Sequence, residues 1–189
     1  MMETLELIGA VVGLVYLYLE YRASIYLWIA GIIMPAIYLV VYYEAGLYAD
    51  LGINIYYLAA AVYGWLAWKK KSPDKRQELP ITRMPRRWLL PLTALFVLAF
   101  LFITWLLIRF TDSNVPVWDA FTTALSIVGM WMLARKWLEQ WLSWIAVDVV
   151  SAGLYLYKDL PATAALYALY AVVAWFGYRK WQQMTSYNT

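Results

Sequence analysis

LEQWLSWIAVDVVSAGLYLY, residues Leu138–Tyr157, is an apolar run broken near its middle by a single acid, Asp148. A helix needs about 20 such residues to cross ~30 Å of hydrocarbon, so the run reads as a membrane span. A carboxylate at that depth is costly and marks a functional site by default. Trp141 and Trp144 precede Asp148 by seven and four residues. Positions i, i+3 and i+7 share one face of a helix, so two indoles and one anion converge on a common volume. That constellation suits a small aromatic cation. The plainer alternative makes both indoles interfacial anchors and leaves Asp148 neutral or hydrogen-bonded to a neighbouring Ser or Tyr.

The rest of the chain has the same character. Of its 189 residues, 65% are hydrophobic and 14% charged, against about a quarter charged in soluble domains. The 17 Tyr and 12 Trp exceed what interface belts use, and several fall mid-span, where a belt has no role for them. Without Cys or His, thiolate chemistry, disulfides and the commonest base and metal ligand are all missing, which argues against metal-dependent and His-based catalysis and implies no cofactor. Met1 leads straight into an apolar segment carrying Glu3 and Glu6, without the basic region and cleavage site of a signal peptide, so the first segment is expected to stay in the protein.

Seven apolar runs of spanning length follow one another: Leu5–Leu19, Ile25–Tyr43, Leu47–Trp68, Trp88–Ile108, Val117–Ala134, Leu138–Tyr157 and Leu160–Tyr178. Short turns separate them, except for one long loop, Lys69–Arg87, with Pro73, Pro80 and Pro85. An outside N-terminus places 13 of the 15 Lys and Arg on the cytoplasmic side and leaves only Arg109 and Lys158 outside. The positive-inside rule therefore predicts an N-out, C-in topology and an odd number of spans. The basic loop lies between two spans and lacks aromatics for stacking bases, so it reads as topogenic and no nucleic-acid partner is expected.

The chain also matches itself, without a gap, when Arg22 is set against Arg135. Arg22, Trp28, Ile32, Tyr42, Leu47, Ala49, Tyr57, Ala61, Gly64 and Trp68 then meet Arg135, Trp141, Ile145, Tyr155, Leu160, Ala162, Tyr170, Ala174, Gly177 and Trp181. These ten identities in 47 positions, against about four expected by chance in so biased a composition, are the signature of an internal repeat. The expectation is a single all-α integral membrane domain, residues 1–189. It divides into a three-helix repeat (1–68), a linker helix (88–108) and a second, parallel three-helix repeat (117–181). Parallel repeats of this kind are a transporter design with the substrate near the midplane. Asp148 faces Pro35 in this alignment and Trp144 faces Gly31, so the functional groups stand in one half only. Pro35, inside a span, is the candidate hinge.

At these residues the chain resembles the PnuC family of bacterial vitamin transporters. The matching stretches are AGLYAD (Ala45–Asp50), YGWLAW (Tyr63–Trp68), PVWD (Pro116–Asp119) and LSIVGMWMLARKWLEQWLSW (Leu125–Trp144), the last containing the W-x-x-W motif. The resemblance implies a three-one-three bundle like an inverted SWEET transporter and a multi-pass place in the bacterial inner membrane among lipid. It also implies a homotrimer, and facilitated diffusion of a vitamin that a cytosolic kinase then traps. Riboside-transporting members carry Gln, Asn and Asn where this chain has Asn54, Ala61 and Asp148. That combined change points to thiamine, a permanent cation and the substrate of the PnuT members, with nicotinamide riboside the alternative and riboflavin a third. Trp141, Trp144 and Asp148 would then bind the ligand, with Trp65 beside them and Asn54, Tyr57, Tyr63 and Tyr167 completing the polar rim.

Other classes fit less well. A retinal photoreceptor needs a mid-membrane Lys, and Lys158 and Lys180 lie at helix ends. An enzyme would need a nucleophile beside a base, but Ser126, Ser143 and Ser151 have no His. ATP hydrolysis would need a Gly-rich phosphate loop, which the chain lacks.

Overall fold

The computed structural model describes residues 2–44, 48–69 and 79–186. Among them seven α-helices follow in order: α1 Met2–Tyr21, α2 Leu27–Glu44, α3 Tyr48–Lys69, α4 Leu89–Phe110, α5 Pro116–Ala134, α6 Gln140–Tyr157 and α7 Pro161–Ser186. The described residues form no β-strand, only one isolated bridge between Thr82 and Trp137. Ala45–Leu47 of the AGLYAD stretch, and Lys70, Lys71, Pro73, Lys75 and Arg76 of the basic loop, lie outside the described residues. Three segments, Arg86–Phe110, Pro116–Ala134 and Pro161–Thr185, are long and apolar enough to cross a membrane. α4 shows why the protein cannot be water-soluble. Leu90, Leu98, Leu101, Phe102, Trp105 and Ile108 are all exposed on it, a surface that only hydrocarbon accommodates.

Helix ends deviate from the apolar runs for local reasons. α2 and α6 each start two residues late because a turn precedes them, with Ala23 (φ 52°) and Lys136 (φ 55°) in the left-handed region. That conformation is uncommon for residues with a Cβ. The Ala23 N–H donates to the Glu20 carbonyl (2.8 Å) and the Ser24 N–H to that of Leu19 (2.9 Å); at the later turn the Lys136 N–H donates to Leu133 (2.8 Å) and that of Trp137 to Met132 (3.0 Å). α7 runs eight residues past Tyr178, since neither Arg179 nor Lys180 breaks a helix.

The chain divides into two compact units. In the first, α2 packs along α3. Trp28 is fully buried and its ring fills the space where Gly64 lacks a side chain, meeting Trp68 edge to face at 5.4 Å and 89°. The Trp68 indole N–H donates to the Leu133 carbonyl (3.3 Å), and the Lys136 ammonium lies 4.3 Å from the Trp68 ring centre. Gly64 and Trp68 of YGWLAW thus serve packing.

In the second unit α6 packs along α7. Trp141 is fully buried; a Cβ placed on Gly177 would come within 2.6 Å of its ring, and Trp181 meets it edge to face at 5.6 Å and 89°. The Trp–Gly–Trp arrangement of the first unit thus recurs in the second at the repeat-equivalent residues. α2 and α6 begin and end at equivalent positions, α3 and α7 begin at them, and α1 and α5 end at them. Ahead of α4, residues 81–88 form a strap. The Leu138 N–H donates to the Thr82 carbonyl (2.9 Å), the Glu139 carboxylate accepts the Met84 N–H (2.7 Å), and Met84 and Trp88 pack on a core of Leu92, Val128, Met132 and Trp137. Of the PVWD stretch, Pro116 opens α5 where its missing N–H costs nothing. Asp119 accepts the Ser113 hydroxyl (2.7 Å) and pairs with Lys158 (3.5 Å).

Candidate functional site

α6 carries the site, and its buried side chains show which face matters: Gln140, Trp141, Ser143, Val147, Asp148 and Ser151. Four of the six are polar or charged; serines and an amide also occur where membrane helices pack, but a buried carboxylate marks a functional site. Asp148 is 7% exposed. On α7, the Tyr167 and Tyr170 hydroxyls lie within electrostatic reach of its carboxylate. Tyr155, two turns beyond Asp148 on α6, stacks on Tyr167 at 5.1 Å and 26°, and the Tyr170 ring follows at 5.7 Å. An anion with phenols close by is a setting for a cation, because aromatic faces and a carboxylate both attract positive charge and the low dielectric strengthens the attraction.

Trp144 stands one turn before Asp148, half-buried. A Cβ on Gly129 of α5 would lie 3.5 Å from the indole Cε2 and 3.3 Å from the Cβ of Ser143. The Trp144 ring is therefore bounded by α5 and does not reach out as an interface anchor. In the first unit the repeat-equivalent positions reverse the sizes, with Tyr16 in place of Gly129 and Gly31 in place of Trp144. There a Cβ on Gly31 would lie 3.7 Å from Tyr16 Cε2. A similar packing slot is filled from α1 in one unit and from α6 in the other.

Of the residues singled out by sequence, the second unit brings together Asp148 and Tyr167, with Trp144 one turn away. Trp141 points elsewhere, into Gly177 and Trp181. The remainder belong to the first unit. Tyr57 lies 5.7 Å from the Tyr56 ring and within electrostatic reach of Tyr16, and Asn54 is half-buried one turn before it. Tyr63 and Trp65 are each 37% exposed, and the Arg135 guanidinium lies 5.7 Å from the Tyr63 ring. Ala61 is 1% exposed and packs toward Gly31. Pro35 is buried within α2, whose helix continues through it.

Three residues escaped sequence reasoning: Gln140, Tyr155 and Tyr170. Tyr155 and Tyr170 were visible as repeat partners of Tyr42 and Tyr57, and Tyr155 also as the i+7 neighbour of Asp148. Gln140 carried the i+4 signal toward Trp144. Gln140 is fully buried, and among the described residues neither atom of its amide has a hydrogen-bond partner, nor does the Trp144 indole N–H. An unpaired buried polar group costs ~1–3 kcal/mol. Among the described residues no cluster of three His, Cys, Asp or Glu could hold a metal ion.

Comparison with known proteins agrees with this architecture. Residues 3–183 match a family model described as nicotinamide mononucleotide transporter. The chain is 25% identical over 201 residues to the nicotinamide riboside transporter PnuC of Escherichia coli K12, covering 94% of this chain and 84% of that one. It is 23% identical over 180 residues to the riboflavin/roseoflavin transporter RibM of Streptomyces davaonensis, covering 93% and 83%. A crystal structure described as the vitamin B3 transporter PnuC superposes with a TM-score of 0.70 at 24% identity, covering 95% of this chain and 81% of that one.

Proposed function

We propose, for a chain that belongs to the nicotinamide mononucleotide transporter family, that of PnuC, that it carries a small aromatic vitamin with a fixed positive charge down its gradient into the cell. The protein is a multi-pass component of the bacterial inner membrane. The observation that carries the reading is Asp148, a buried acid one turn from the Trp144 indole and within reach of two phenols. A flat cation over that indole gains up to ~2 kcal/mol when desolvated, and the carboxylate neutralises it where water cannot.

Nicotinamide riboside becomes the first reading, ahead of thiamine, because several relatives carry that substrate in their names. Both are cationic aromatics. Thiamine stays second on the strength of Asn54, Ala61 and Asp148, three positions at which the family resemblance implies other residues in riboside-transporting members. Ala61, packed against a glycine, has no polar group to offer a ribose. Riboflavin, carried in the name of one relative, has no fixed charge for Asp148 to balance.

The finer architecture is part of the same proposal. Seven spans in a three-one-three parallel repeat, with the N-terminus outside, are supported by the shared helix boundaries, the matching turns and the two Trp–Gly–Trp contacts. A homotrimer, and trapping of the vitamin by a cytosolic kinase, follow from the family resemblance. Titration of intrinsic Trp fluorescence in the purified protein tests the assignment. Saturable quenching by nicotinamide riboside, competed by thiamine and not by riboflavin, is expected; no saturable response to any of the three would remove it.

A further inference from the structure

We propose that Gln140 is a specificity-determining residue, its unpaired side-chain amide recognising a ligand edge that presents a hydrogen-bond donor beside an acceptor, as a carboxamide does. The inference rests on the chain's reading as a carrier of an aromatic vitamin, and three observations lead to it.

Gln140 is fully buried, and among the described residues neither its Oε1 nor its Nε2 has a partner. Nearly all buried polar groups are paired, so an amide idle at both ends asks for a use. Second, the fold does not require it. The repeat-equivalent residue is Leu27, equally buried in the first unit at the start of α2, so the corresponding place accepts an apolar side chain of similar size. Third, Gln140, Trp144 and Asp148 are spaced by four residues along α6 and share a stripe. The Trp144 indole N–H is also buried and unpaired among the described residues.

Four residues of helix advance ~6 Å. A ring lying at Trp144 would thus have the Asp148 carboxylate toward one end and the Gln140 amide toward the other. A pyridinium with a carboxamide substituent fits both ends: its cationic nitrogen turns to Asp148, while its C=O and N–H₂ meet the complementary N–H₂ and C=O of Gln140. The carboxamide and the glutamine amide can then form two parallel hydrogen bonds, satisfying both atoms that are otherwise idle.

Gln140→Leu puts the residue of the first unit into the second and separates this role from a structural one. The purified full-length variant is compared with wild type by thermal melting and by binding of nicotinamide riboside and of a pyridinium riboside that lacks the carboxamide. Expected are a melting temperature at or above that of wild type, nicotinamide riboside binding weakened by about tenfold or more, and unchanged binding of the truncated riboside. Gln140→Met gives the same comparison if the leucine variant does not fold. Equal losses for both ribosides, or no loss for either, overturn the inference while the transporter reading stands. Wild-type protein that binds neither riboside overturns both.

Discussion

Asp148 and Trp144 both favour a flat cation, and single substitutions separate their contributions. Asp148→Asn keeps shape and much of the hydrogen-bonding reach but removes the Coulomb attraction. We expect thiamine to lose at least ~10-fold in affinity, and a neutral analogue without its quaternary nitrogen to lose far less. Isothermal titration of both ligands decides, and equal losses would make Asp148 a packing residue. Trp144→Ala is expected to weaken binding by ~1–3 kcal/mol while the protein still inserts and folds. Trp141 should behave differently. Fully buried against Gly177 and Trp181, it would leave a cavity as alanine and cost ~3–5 kcal/mol of stability. A lowered melting temperature in Trp141→Ala, without one in Trp144→Ala, would distinguish the two members of the W-x-x-W motif.

Helix pairs α2–α3 and α6–α7 each lock through one large ring set over one glycine. Gly64→Ala and Gly177→Ala should therefore damage folding to similar degrees, because the added Cβ meets a rigid indole in both cases. Melting curves or yields that differ widely between the two variants would contradict that equivalence. The strap before α4 depends on the Glu139 carboxylate accepting the Met84 N–H. Glu139→Ala removes a charge-assisted bond of ~1.5–3 kcal/mol, so hydrogen exchange at Met84 should quicken while ligand affinity holds. Much at this scale was legible beforehand. Apolar run lengths located the seven described helices to within a few residues, apart from the C-terminal extension of α7. The packing of Trp141 was not legible: helical spacing groups it with Trp144 and Asp148, and only the glycine opposite shows that its ring lies against α7. The strap escaped notice too, since one backbone bond and one carboxylate leave no periodic trace in a sequence.

The molecule as a whole joins a charge asymmetry, an internal sequence similarity and a buried acid, Asp148. Thirteen of fifteen basic residues fall on one side of the proposed spans, so a reactive tag after Thr189 should label only from the cytoplasmic face and one before Met1 only from outside. The sequence made the transporter class legible through its internal similarity and the mid-run Asp148. Substrate identity was harder to read, because thiamine and nicotinamide riboside share the flat cation that the proposed site would detect, and the choice between them then turns on polar contacts such as the one proposed for Gln140. A fixed anion that holds a cation needs no proton for neutrality, so movement is expected to be downhill and uncoupled. Uptake of labelled nicotinamide riboside by proteoliposomes, with and without an imposed pH gradient, tests this most directly. Saturable entry that stops when inside and outside concentrations are equal and ignores the gradient is expected. Flux no greater than in protein-free liposomes, or accumulation driven by the pH gradient, would contradict it.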